Sequence, residues 1–237
     1  MRYYIDLHIH SALSPCGDED MTPNNIVNMA ALKGLDFIAV TDHNAVGNTQ
    51  AIMECAQDKG IIAVPGMEVQ TSEEVHVLCL FPDLESAVEI ENLVQRHLPA
   101  FKNRPDIFGP QVLYNSKDEV IGYEDKLLVT ATALPIHRIK YEVEKVGGVA
   151  IPAHIDKNSF SIISNLGFIP DELGFTAVEV SKRVDKKEYA RQNPGIEKYR
   201  ILCNSDAHYL WDISEPDEFV ELEEKTIVSL LKYLKGM

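Results

Sequence analysis

The chain of 237 residues is predicted to be an α/β protein built on a mainly parallel sheet. Two observations predict this class. Apolar strand-like runs alternate with helical segments along most of the sequence. Side chains able to bind metal recur at or just past the C-terminal ends of those strands, the face where an α/β barrel collects its βα loops.

Tyr3-Tyr4-Ile5 opens the first strand, which closes in Asp6-Leu7-His8-Ile9-His10. Successive strand side chains point to opposite faces, so His8 and His10 project together. A polar loop over 11–21 leads to Thr22-Pro23, the N-cap and first residue of a helix that stops at Gly34. Leu35 to Val40 forms the second strand and runs into Thr41-Asp42-His43; a helix over about 48–59 ends at Gly60. The third strand, Ile61 to Val69, carries Pro65, which predicts a kink before Gly66-Met67-Glu68. Val75 to Phe81 follows after a connection too short for a helical crossover. That pair is expected to be antiparallel, returning His76 beside Glu68.

Residues 82–137 break the rhythm with a helix near 84–98, a Pro- and Gly-containing loop, and a hairpin of 111–114 and 120–123. The segment has too little apolar sequence for its own core and reads as a small insertion in one domain spanning 1–237. Alternation resumes with a helix over 138–146 and the strand Val149 to Ala153, ending at His154. A short helix over 160–165, a strand over 175–180, and a strand from Tyr199 to Cys203 come next. The last of these runs into Asn204-Ser205-Asp206-Ala207-His208, and an amphipathic helix over 226–234 closes the chain. Seven strands lie outside the hairpin.

The composition, 45% hydrophobic and 25% charged, is that of an ordinary globular protein. No apolar run approaches the roughly 20 residues that span a bilayer, and no signal pattern opens the chain, so a cytoplasmic location without membrane contact is expected. Cysteines 16, 55, 79 and 203 lack Cys-x-x-Cys spacing. Cys55, Cys79 and Cys203 read as buried small hydrophobes in a reducing compartment; Cys16 stands apart in a polar loop. A net charge of −15 counts against a scaffold with a broad basic footprint for nucleic acid.

His8, His10, Glu68, His154, Asp206 and His208 combine imidazole and carboxylate donors, a set suited to zinc, manganese or iron. Any one of them could be a buried polar group with an ordinary partner. Six at equivalent strand ends point instead to a metal centre. Asp42, facing away from His43 on an extended strand, is expected to orient the site or cap a loop. His97 and His137 read as solvated or structural. No Gly-rich phosphate loop, Ser/His/Asp order or nucleophile elbow appears, which leaves metal-ion chemistry as the supported reaction type.

The motifs Asp6-Leu7-His8-Ile9-His10, Thr41-Asp42-His43, Gly66-Met67-Glu68, His76 in Val75-His76-Val77-Leu78, Pro152-Ala153-His154 and Ser205-Asp206-Ala207-His208 together resemble the PHP superfamily. This is the polymerase and histidinol phosphatase family of metal-dependent phosphoesterases. The resemblance implies a distorted (β/α)7 TIM-like barrel with two or three divalent ions. It implies that His8, His10, Glu68 and Asp206 hold the first ion, with Glu68 bridging to a second held by His76 and His154. The third would take His43, His208 and a residue of the loop after His10. Family members commonly place His or Asp there; here the ungapped match is Cys16, with Asp18 as the alternative.

Glu68, Asp206 and His208 are the expected catalytic residues, with hydroxide from a metal-activated water attacking phosphorus. Lys157, Lys182 and Arg183 follow the last two interior strand ends and either clamp phosphate or are solvated loop cations. With the acidic charge, these readings predict a small phosphorylated substrate, a nucleotide or metabolite, and no long nucleic acid. An amidohydrolase-type hydrolase lacks its strand-borne lysine here. An idle PHP module used for binding is disfavoured by the intact ligand set.

Overall fold

The computed structural model describes residues 1–237. Strand β1 (Arg2–Ile9) leads to helix α1 (Pro23–Leu32), whose first turn is capped by the Thr22 hydroxyl accepting the Asn25 N–H. Strand β2 (Phe37–Val40) and helix α2 (Thr49–Gln57) follow. The third predicted strand is broken at Val64-Pro65 into β3 (Ile62–Ala63) and β4 (Gly66–Gln70), as a residue without an N–H requires. Strand β5 (His76–Leu80) returns antiparallel to β4 with Gln70 opposite His76, as the short connection demanded.

The next segment holds α3 (Leu84–His97), α4 (Pro105–Phe108) and the hairpin β6 (Val112–Tyr114) and β7 (Val120–Tyr123). Beyond it come α5 (Ile136–Lys145), β8 (Val149–Pro152), α6 (Ile162–Leu166), β9 (Ala177–Ser181), α7 (Lys186–Gln192) and β10 (Arg200–Asn204). Strand β11 (Phe219–Glu221) and helix α8 (Ile227–Leu234) complete the chain. β11 pairs antiparallel with the start of β1, opposite Arg2 to Tyr4. Three residues with an acidic end carry little strand signal, so this strand was not foreseen.

The architecture is a mixed α/β fold. The ladders run β11-β1-β2-β3, β10-β9 and β4-β5-β8, with β6-β7 separate; they do not close into a continuous ring. β1, β2 and β3 are parallel, as are β9 and β10, while β5 runs against both β4 and β8. Single bridges join the segments at their functional ends: Ile9 to Ala207 and His43 to Glu68. The Ile155 N–H donates to the Glu179 carbonyl, linking β8 to β9 in the same way.

Helix α3 does not stand outside the core, because Ala87, Ile90 and Val94 are buried in one cluster with Met67, Val77 and Cys79. The hairpin is tied down by Asn48, whose amide donates to the Val112 carbonyl and accepts the Tyr114 N–H. All four cysteines are free. Cys79 is buried as expected, but Cys55 and Cys203 are only half-buried: Cys55 donates to the Ser116 carbonyl, and Cys203 borders an open cleft. No helix is long and apolar enough to cross a membrane.

Phe37 sits under the parallel strands at 0% exposure, edge-to-face with Tyr3 at 5.8 Å between ring centroids. Phe37→Ala should cost about 3–5 kcal/mol in denaturant unfolding, the range for an emptied aromatic site in a packed core. A loss under about 1 kcal/mol would show that the site collapses around the gap.

Candidate metal centre

The strand ends converge on Glu68, a carboxylate 1% exposed and ringed by five histidines. Its Oε1 lies 2.9 Å from His76 Nδ1, 3.2 Å from His154 Nε2 and 3.4 Å from His8 Nε2. Its Oε2 lies 2.9 Å from His43 Nδ1 and 3.5 Å from His10 Nε2, without an aligned hydrogen bond. Asp206 Oδ1 completes one side, 3.4 Å from His8 Nε2 and 3.3 Å from His10 Nε2. His208 stacks on His10 with ring centroids 4.3 Å apart.

Residues outside the ring fix its tautomers. His8 Nδ1 donates to Glu179, 3.0 and 3.1 Å from the two carboxylate oxygens. His10 Nδ1 donates to Ser14 Oγ at 2.9 Å, and Ser14 in turn donates to Asp42 at 2.7 Å. Asp42 also accepts from the backbone and hydroxyl of Ser11, so it both holds this loop and stands behind Ser14. His208 Nδ1 donates to the Asp206 carbonyl. The Nε2 atoms of His8 and His10 are thereby turned toward each other, 3.2 Å apart. Two imidazole lone pairs cannot rest at that distance unless a proton or a cation stands between them.

The titration behaviour of the ion-free cluster says the same. Burial lowers His8, but Glu179, Asp206 and Glu68 outweigh it and hold the ring well above its ordinary pKa. Burial, then His208 and His43, hold His10 well below. Burial raises Glu68, yet His76, His8 and His43 keep it well below the carboxylate range. His154 Nδ1 is buried without a partner. These orphaned, convergent donors fit divalent cations, and they group as His8-His10-Glu68, His43-Glu68-His76 and His10-His43-His208.

Backbone strain brings the ligands in. His154 and Asp206 adopt φ of +30° and +52°, a region that L-residues avoid and that functional sites retain. Phe160, with φ +54°, stacks its ring on His76 at 4.8 Å and accepts the His76 N–H with its carbonyl.

Of the loop residues, Cys16 lies exposed at the rim beside His43 and His208. Burial by these neighbours raises its thiol, but hydrogen bonds from both imidazoles outweigh that and bring it to about 6. The Asp18 carboxylate instead accepts the N–H of Asp20. Lys157 pairs with Asp206 Oδ2. Lys182 donates to the Asp212 carbonyl, and Arg183 joins both lysines around a cleft of about 140 Å³ beside Asp206. His97 and His137 are exposed and belong to none of these donor groups. Glu179 was missed by sequence reasoning; its signal was a lone carboxylate inside the apolar run Phe175 to Val180.

Fold and site together define an α/β protein with a histidine–carboxylate cluster compatible with metal ions at its strand ends. The PHP domain profile matches residues 6–137, more than half of the sequence, and the chain belongs to that family. His154, Asp206 and His208 lie outside the matched stretch and are joined to it by the fold. The structure resembles the lesion-specific endonuclease PfuEndoQ of Pyrococcus furiosus (TM-score 0.72, 21% identity, 100% of this chain and 56% of that one). It resembles equally Endonuclease Q in complex with a 27-mer duplex substrate bearing an abasic lesion (TM-score 0.72, 20% identity, 100% and 57% covered). In sequence, a 3′,5′-nucleoside bisphosphate phosphatase of Chromobacterium violaceum is 34% identical over 79 residues, 32% of this chain and 27% of that protein. The chain thus spans little more than half the length of the endonucleases.

This overturns the expectation of a small substrate and no long nucleic acid, since the same fold carries a 27-mer duplex in Endonuclease Q. The physical error lay in reading the net charge as a local field. Charges on a distant surface are screened within about 8 Å at physiological salt. Lys157, Lys182 and Arg183 line a cleft beside Asp206, so the charge near the site differs in sign from the chain's sum.

In metal-free protein, the Cys16 thiolate should form with a midpoint near pH 6 instead of the ordinary 9, measured by iodoacetamide alkylation. Because the folded pKa is the lower, its stabilisation is complete above pH 9 and lost as pH falls through about 6. The stability difference between wild type and Cys16→Ser should therefore fade on acidification through that value. A difference constant with pH would contradict the contact.

Proposed function

We propose that the chain hydrolyses phosphoester bonds at a centre of two or three divalent ions, and that it acts on nucleic-acid phosphodiesters. The observation that carries this reading is the ring of five imidazoles around the buried Glu68 carboxylate. The fold shared with Endonuclease Q supports the choice of substrate. The strand segments, linked by bridges at their functional ends, are in this reading a distorted (β/α)7 barrel in a single domain, with 82–137 as its insertion.

Zinc, manganese or iron, when bound, supplies Lewis-acid polarisation of phosphoryl oxygens and lowers the pKa of water toward neutrality. His8, His10, Glu68 and Asp206 would hold one ion, and Glu68, His76 and His154 a second. His43, His208 and Cys16 would hold a third. Glu68 would be shared between the ions, a role supported by its contacts with histidines of all the groups: His8, His76 and His154 at Oε1, His10 and His43 at Oε2. Glu179 and the Ser14–Asp42 pair hold His8 and His10 with their Nε2 lone pairs inward. Lys157, Lys182 and Arg183 would take the non-bridging phosphate oxygens in the adjoining cleft.

With manganese, zinc or ferrous iron present, labelled oligonucleotides should be cleaved, and an abasic site placed in single strands or duplexes tests for lesion preference. Outer-shell substitutions at metal centres cost about 10- to 100-fold, so Glu68→Gln should lose at least roughly 100-fold in kcat. No cleavage of any oligonucleotide with any of these metals would refute the substrate. Near-normal turnover of Glu68→Gln at matched metal content would refute the bridging role.

A further inference from the structure

Immediately after His208 the chain exposes two aromatic rings in contact. Tyr209 and Trp211 stack with centroids 5.0 Å apart and planes 14° from parallel. They are 40% and 71% exposed, although a tryptophan ordinarily hides most of its surface. The pair sits on a fixed support. Lys33 donates to the carbonyls of Trp211 and Ile213, and Lys182 donates to the carbonyl of Asp212. Ile213 is 1% exposed and Leu210 packs on the core formed by α1 and β2, so the intervening turn is anchored on both sides.

Position gives the pair a use. Trp211 stands three positions after His208, so their Cα atoms lie within roughly 11 Å. Trp211 borders a cleft of about 430 Å³ whose wall includes Lys182 and Asp212. The same two residues border the smaller cleft of Lys157 and Arg183 beside Asp206. The two spaces are therefore neighbours, and they differ in character. In the larger one Lys33 is paired with Glu215 and the nearby Lys186 with Glu218, while Lys182 is shared with the smaller cleft, where Arg183 stands beside it. What the larger one offers is the exposed indole of Trp211, and every nucleobase has a π-face that can stack on an aromatic ring.

We infer that Tyr209 and Trp211 form a stacking platform for the nucleobase next to the phosphate being cleaved. This rests on the phosphoesterase reading above and adds its substrate recognition: the cationic cleft takes the phosphate and the aromatic pair takes the base. The platform selects for nucleoside character without reading sequence, because stacking tolerates any base.

Trp211 is the only tryptophan, so its fluorescence reports on this surface alone. Metal-loaded protein would be titrated with a short, hydrolysis-resistant phosphorothioate oligothymidylate and, in parallel, with an abasic sugar-phosphate oligomer of equal length. Saturable quenching by the first and little by the second is the expected result. In cleavage assays on the normal phosphodiester forms, Trp211→Ala should lose roughly tenfold more kcat/KM on oligothymidylate than on the base-free oligomer, with Trp211→Phe restoring most of the difference. Fluorescence indifferent to the base-bearing oligomer, or equal losses on both substrates, would overturn the platform. If wild type cleaves neither substrate the phosphoesterase reading falls by itself, and the fluorescence titration still decides the platform.

Discussion

A buried carboxylate ringed by imidazoles is an unfavourable object unless positive charge is supplied. Glu68 and Asp206 leave water to face His8, His10, His43, His76 and His154 at contact distance. Isolated burial of either charge would cost several kcal/mol, and two opposed imidazole lone pairs add repulsion. Protons on His8 and His43, both raised by neighbouring carboxylates, and the Lys157 ammonium against Asp206 provide part of the compensation. Divalent ions provide it more completely, and the arrangement of donors is explained by that requirement.

The fold delivers this charge arrangement through the reversal of one strand. Parallel strands β1, β2 and β10 bring their C-terminal ends together, supplying His8, His10, His43, Asp206 and His208. β5 runs the other way, so a residue at its start, His76, reaches the same end. The backbone at His154, like that at Asp206, takes a positive φ, and His154 adds a further side chain to the ring. Behind them, Glu179, Asp42, Ser14 and Asn204 hold the rings, and such partners set ligand basicity and orientation.

Much of this was legible in the sequence because strand periodicity and strand-end chemistry are local signals. His8 and His10 on one face, the break at Pro65, and the antiparallel return of His76 each follow from a few neighbouring residues. Glu179 was not legible, because its role depends on His8, 171 positions away. β11 escaped because its identity as a strand comes only from its pairing with β1. The substrate inference failed for a different reason: a summed charge of −15 carries no information about where the charges stand. The stacked pair at Tyr209 and Trp211 likewise emerges only when exposure is known.

The central claim is that this histidine–carboxylate ring is a cation centre. Its most direct test is calorimetric titration of chelator-treated, refilled-buffer protein with manganese or zinc near neutral pH, cross-checked by elemental analysis. Two to three equivalents with release of protons from the histidines is the predicted result. Less than one equivalent, or binding that leaves the histidine protons in place, would contradict it.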